Sequence, residues 1–109
     1  MASNVTEQEL SMISESLCSR YPVHKIILFG SQATGTADDR SDVDLLLILD
    51  FKGPRRHLMV EMNRMMDHVQ HAVDVLILTP DEFSREKNIP GTIGKYAAEH
   101  GRVIYERAA

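Results

Sequence analysis

Apolar positions recur along the chain at helical and at strand spacings, and the alternation between the two divides it into a succession of helices and strands. Leu10, Ile13 and Leu17 share one helical face, and Thr6 with Glu9 three residues later forms a capping box in front of them. Tyr21-Pro22 ends that helix. His24 to Phe29 reads as a short buried strand that stops at Gly30. The stretch from Gly30 to Asp42, rich in Gly, Ser and Thr, reads as a loop or a short helical turn. Val43 and the run from Leu45 to Leu49 predict a strand covered on both faces, at the centre of the sheet. Leu58, Met59, Met62, Met65, Met66 and Val69 recur at three- and four-residue steps, which predicts a helix from Pro54 to Gln70 packed on that sheet. A third strand follows at Ala72 to Leu78. Thr79-Pro80-Asp81-Glu82 starts a short helix, with a cap, a proline in the first turn and acidic residues beside it. Thr92 to His100 is the last helix, stopped by Gly101, and Arg102 to Glu106 a closing strand. Met1 to Asn4 and Ala108-Ala109 read as frayed ends. The whole reads as an alternating α/β unit.

Composition narrows what such a unit does. The 109 residues predict a single domain, 1–109, with room for one modest core. Twelve Lys and Arg against sixteen Asp and Glu give a formal charge of −4, and no long basic run is present, so direct gripping of nucleic acid through its phosphates is not expected. The single Cys18 excludes a disulfide framework and a cysteine-rich zinc site, which fits a reducing compartment. No apolar run approaches the roughly 20 residues of a membrane span, and no signal peptide is apparent, so the expected location is cytoplasmic.

The chemistry concentrates at strand ends. The first strand ends at Gly30-Ser31, the second opens with Asp42-Val43-Asp44, and the third opens near Asp74. Strand side chains alternate, so Asp42 and Asp44 leave the same face, and a third strand lying beside the second brings Asp74 to the same point. Three converging carboxylates repel one another and call for a divalent cation; oxygen-only ligands favour Mg²⁺ or Mn²⁺. Glycine lets the backbone approach a phosphate, while the Ser31 hydroxyl and exposed amides donate hydrogen bonds to it. Phosphoryl chemistry is the reading these residue types favour. An isolated Asp-x-Asp is more often a turn, and what separates this one from a turn is the joint pattern over three strands. His68 and His71 lack an evident third ligand for a shared zinc.

Leu28-Phe29-Gly30-Ser31-Gln32-Ala33-Thr34-Gly35, followed by Ser41-Asp42-Val43-Asp44-Leu45-Leu46, resembles the signature of the minimal nucleotidyltransferases, small members of the DNA polymerase β-type superfamily. The Thr79-Pro80-Asp81-Glu82-Phe83 helix start and the closing Gly101 to Arg107 are similar to those proteins too. The resemblance implies a nucleotidyltransferase fold, a small mixed sheet flanked by helices. It implies that Asp42 and Asp44 hold the metal ions, that Asp74 is the third catalytic carboxylate, polarising the acceptor hydroxyl through metal, and that Gly30 and Ser31 contact the triphosphate. It further implies Mg²⁺ or Mn²⁺ as cofactor, ATP as substrate, and a HEPN-domain toxin as partner, with AMP passed to a tyrosine of that toxin by an antitoxin. The family usually carries Arg where this chain has Thr34, and Lys52, Arg55 and Arg56 are candidates to supply that charge, although a solvated loop accounts for them too. A second function class therefore stands beside the enzyme: a fold retained to neutralise the partner by binding alone. A small-molecule modifier is a third, disfavoured because few residues remain to build an acceptor pocket.

Overall fold

Thr6 opens the first helix as read: its side chain accepts from the Glu9 amide while Glu9 reaches back to the Thr6 amide, and α1 runs Glu7–Arg20. The computed structural model describes residues 5–35, 42–69 and 71–108. Met1 to Asn4, Ala109, and the part of the Gly30–Asp42 segment from 36 to 41 lie outside the described residues. Along the chain follow β1 (Val23–Phe29), α2 (Ser31–Thr34), β2 (Val43–Leu49), α3 (Arg55–Met65), β3 (Val73–Leu78), α4 (Pro80–Glu86), α5 (Ile93–His100) and β4 (Arg102–Glu106).

The four strands form one mixed sheet in the order β3-β2-β1-β4. β1 is antiparallel to both β2 and β4, whereas β2 and β3 are parallel and are joined by the crossover through α3. β2 is thus an interior strand, and Leu45, Leu46 and Leu47 are completely buried. Its alternating side chains feed two cores. Val43, Leu45, Leu47 and Leu49 pack with Leu10, Ile13 and Leu17 of α1 and Met62 of α3. Leu46 and Ile48 pack on the opposite face with Ile27, Phe29, Leu78 and Ala97, under Phe83 of α4 and Ile93 of α5. Helices therefore cover both faces of the sheet.

One boundary differs from the reading. α3 ends at Met65 rather than at Gln70, and Gln70 itself lies outside the described residues. Beyond Met65 the backbone closes three-residue turns, Met66 to Asn63, Asp67 to Arg64 and Val69 to Met66. Turns of that kind return side chains to one side much as a helix does, so the apolar spacing continues after the helix has stopped. α3 also closes the free edge of β3. Asn63 Oδ1 accepts from the Val75 amide at 3.0 Å, and its Nδ2 donates to the Val75 carbonyl at 3.3 Å. Arg55 donates to the Ile77 carbonyl at 3.0 Å. Backbone groups that would otherwise template another strand are taken by side chains.

Candidate active site

The end of β1 and the starts of β2 and β3 meet at one edge of the sheet. Phe29 and Asp44 are cross-strand partners, and Asp44 and Asp74 are partners in the parallel pair. Paired residues of neighbouring strands project from the same face, so Asp74, Asp44 and Phe29 stand in a row. Val43, the residue between Asp42 and Asp44, is fully buried in the core of the other face, and this alternation turns Asp44 towards the open side. Asp42 and Asp74 are exposed, while Asp44 is partly buried. Burial, and then the negative charges of Asp74 and Asp42, hold the Asp44 carboxyl above the usual aspartate range.

Gly30 is the other half of the site. Its φ of +77° with ψ of −160° is a conformation that residues with a Cβ rarely adopt, and a Cβ placed there would meet Asp44 Oδ2 at 2.5 Å. The backbone at position 30 therefore lies directly against the Asp44 carboxylate. Ser31 begins the single turn of α2, which is closed by amides of Ala33 and Thr34 donating to the Gly30 carbonyl, and by Gly35 in the left-handed region. A glycine turn, a hydroxyl and three acidic side chains share one corner of the molecule.

The family model of the nucleotidyltransferase domain matches residues 10–107. The chain belongs to the nucleotidyltransferase domain family. Solved structures with the same fold include a candidate nucleotidyltransferase from Sulfolobus solfataricus, with a TM-score of 0.64 and 22% identity over 93% of this chain and 80% of that one. They also include a toxin-antitoxin complex with AMP-PNP, with a TM-score of 0.67 and 14% identity over 94% of this chain and 75% of the other. A third is a tri-AMPylated Shewanella oneidensis HEPN toxin in complex with MNT antitoxin, with a TM-score of 0.58 and 17% identity, covering 94% of this chain and 74% of that one. No curated protein matches the chain.

In this nucleotidyltransferase domain the donor chemistry at the carboxylate corner suits a hard divalent cation, since all three groups are oxygen donors and positive charge between them relieves their repulsion. Among the described residues, however, no three His, Cys, Asp or Glu side chains are gathered closely enough to hold a metal ion as they stand. The trio is a set of neighbours on one face rather than a closed ligand shell.

Two features of the domain bear on the basic residues and the histidines singled out in the sequence. Lys52, Arg55 and Arg56 follow the far end of β2, whereas Asp44 stands at its start. Arg55 is moreover committed to Glu82 through its Nη1, at 3.0 Å, and its Nη2. This bond and the Thr79 amide lower the Glu82 carboxyl to about 2. Arg55 is thus not the charge that would stand in at Thr34, whose hydroxyl donates to the Gly30 carbonyl at 3.4 Å. His71 is a structural partner: its Nδ1 lies 2.9 Å from Glu9 Oε2, tying the start of α1 to the turn before β3. Burial raises the Glu9 carboxyl, but the Thr6 amide and His71 outweigh it and leave the carboxyl lowered.

Tyr96 borders the site and was not singled out from sequence. Its ring meets Phe29 edge-on at 6.2 Å and lies 5.2 Å from His100, and it is 43% exposed. Only the packing of α5 against β1 brings this aromatic next to the row that contains Asp44. Among the described residues, no helix is long and apolar enough to cross a membrane.

Proposed function

We propose that this domain transfers AMP from ATP to a hydroxyl, a tyrosine side chain on a HEPN-type toxin, and thereby acts as its antitoxin. The observation that carries the reading is the row formed by Asp44 and Asp74, with Asp42 beside it and the backbone of Gly30 pressed against Asp44. In the reaction the acceptor oxygen bonds to the α-phosphorus, the bond from that phosphorus to the pyrophosphate oxygen breaks, and the acceptor proton is lost to a base. Asp42 and Asp44 would hold Mg²⁺ or Mn²⁺, which supplies charge neutralisation for the incoming and leaving oxygens when bound. Gly30 leaves its backbone bare to a phosphate, and the Ser31 hydroxyl donates to it. Asp74 stands on the outer side of the row, on the edge strand, where an acceptor hydroxyl arrives from solvent and is oriented.

Support for a toxin as acceptor comes from the fold shared with the MNT antitoxin complex of an AMPylated HEPN toxin. A second reading, neutralisation by binding alone, is favoured by one observation: Thr34 turns its hydroxyl onto its own turn, and no Arg stands at that position.

The test is incubation with labelled ATP, Mg²⁺ and the protein encoded by the neighbouring gene, followed by mass spectrometry of the latter. The account expects AMP on the partner with wild type and none with Asp42→Ala/Asp44→Ala, both folded by circular dichroism. Equal neutralisation of the toxin by both proteins without transfer would establish the binding reading instead.

A further inference from the structure

Asp44 belongs to the face of the sheet that α5 covers. Strand alternation sends Asp44, Leu46 and Ile48 to one side, and the latter two pack with Phe29 and Ala97, under Ile93 of α5. α5 runs towards the carboxylate end of the sheet: Gly101 follows His100, and Arg102 then pairs with Leu28, the neighbour of Phe29. The second half of α5 is thereby brought to the corner where Gly30 lies against Asp44. Along the row from Asp74 through Asp44 to Phe29, the next side chain is Tyr96.

That ring is held in place but not covered. Its plane stands at 82° to that of Phe29, which is itself almost fully buried and gives a firm support, and His100 flanks it one turn further along the helix. Of the three Tyr and three Phe of the chain, all of them among the described residues, only Tyr96 is exposed. Aromatic rings carry a large apolar surface whose burial is favourable, so a ring left facing solvent at the rim of a charged site stands apart from the others. A hollow of about 430 Å³ opens along its flank, walled by Gly91, Thr92, Lys95, Tyr96, Glu99 and His100.

The two ends of the row therefore differ in chemistry. At Asp74 it ends in an exposed carboxylate, which suits an acceptor hydroxyl; beyond Phe29 it ends in an exposed aromatic ring, which suits the flat face of a base. We infer that Tyr96, propped by Phe29 and His100, is the platform on which the nucleobase of the nucleoside triphosphate stacks. The inference rests on the nucleotide part of the transfer reading and adds a nucleoside subsite, which neither the carboxylates nor the Gly30 turn supply. Every base has a π-face, so one well-supported ring holds the nucleoside without a dedicated set of hydrogen bonds. Tyr96 binds and orients the nucleotide and takes no part in proton or phosphoryl movement.

The experiment titrates the full chain, with Mg²⁺ present, against ATP and against inorganic tripolyphosphate, which offers phosphates without a base. Calorimetry compares wild type with Tyr96→Leu, which keeps an apolar contact for Phe29 but no ring, and with Tyr96→Phe, which keeps the ring. The expected result is ATP affinity lowered about 5- to 150-fold in Tyr96→Leu, the worth of one base stack, and held at the wild-type level in Tyr96→Phe, with tripolyphosphate affinity the same in all three. Equal ATP affinity in wild type and Tyr96→Leu overturns the proposal, as does failure of wild type to bind ATP. So does an equal loss for both ligands, which would make Tyr96 a prop of the phosphate site, or a mass gain of one AMP on Tyr96 itself, which would make it an acceptor. Transfer to the protein encoded by the neighbouring gene is measured in parallel. No transfer by wild type, with Tyr96-dependent ATP binding still seen, refutes the transfer reading and leaves the base subsite standing.

Discussion

Replacing Gly30 by alanine perturbs the candidate site at one atom. The backbone at φ +77° and ψ −160° imposes a strain of about 1–3 kcal/mol on a residue with a Cβ. The added carbon would also lie 2.5 Å from Asp44 Oδ2, roughly 1 Å inside ordinary contact, so either the turn or the carboxylate has to move. A displacement of that size in a catalytic group costs on the order of 100-fold in rate. Gly53 provides the control. It too has positive φ, +87°, but a Cβ there meets nothing within 4 Å, so Gly53→Ala carries the backbone cost of about 1–2 kcal/mol without touching the site. Urea denaturation reads the stability of each variant, and AMP transfer to the partner reads function. The expected outcome is destabilisation in both, with transfer lost only in Gly30→Ala. Wild-type transfer by a folded Gly30→Ala would refute the claim that the contact between Gly30 and Asp44 shapes the site.

Two further predictions follow from charges. Because the folded Asp44 carboxyl lies above its usual range, its ionisation opposes folding: the favourable state exists below the ordinary aspartate pKa, and stability is lost as pH rises through the folded value. Asp44→Asn should therefore stabilise the fold at pH 7 by removing a partly buried charge and, next, its repulsion from Asp74 and Asp42, the latter about 1 kcal/mol in a water-like dielectric, while abolishing transfer. Thermal melts at pH 7 and pH 3 check it; destabilisation at pH 7 would contradict the repulsion. Glu82 has the opposite sign, since its carboxyl is lowered to about 2 by Arg55 and the Thr79 amide, so its contribution is present above the ordinary glutamate pKa and is lost as pH falls towards 2. Glu82→Gln should cost about 1–2 kcal/mol at pH 7, after discounting for solvent at the half-exposed Arg55, and the difference from wild type should shrink in denaturation curves taken towards pH 2.

What could be read from the sequence was whatever short-range chemistry determines. The Thr6–Glu9 capping box and the Thr79 cap followed by Pro80 involve residues at most three apart and are legible in the sequence; the structure adds that Glu82 closes a second box with Thr79. The strand alternation at Asp42-Val43-Asp44 likewise needs only neighbours, and the burial of Val43 confirms it. The position of Asp74 was conditional on β3 lying beside β2, a pairing across about thirty residues that no local pattern encodes. The end of α3 is not legible in the sequence because the turns after Met65 keep the same apolar spacing. Arg55 could not be assigned because its partner, Glu82, is 27 residues away and reaches it only after β3 has formed. Tyr96 carries no local signal for the same reason, its neighbour Phe29 being distant in the chain.

The most direct test of the account is a crystal structure of the domain with Mn²⁺ and a non-hydrolysable ATP analogue, located by anomalous scattering. The account predicts manganese bound directly by the Asp42 and Asp44 carboxylates, at the distance of about 2.0–2.2 Å typical of hard oxygen ligands, with the triphosphate on Gly30 and Ser31 and the α-phosphate facing Asp74. Manganese and triphosphate bound on another part of the surface, with Asp42 and Asp44 uncoordinated, would contradict it.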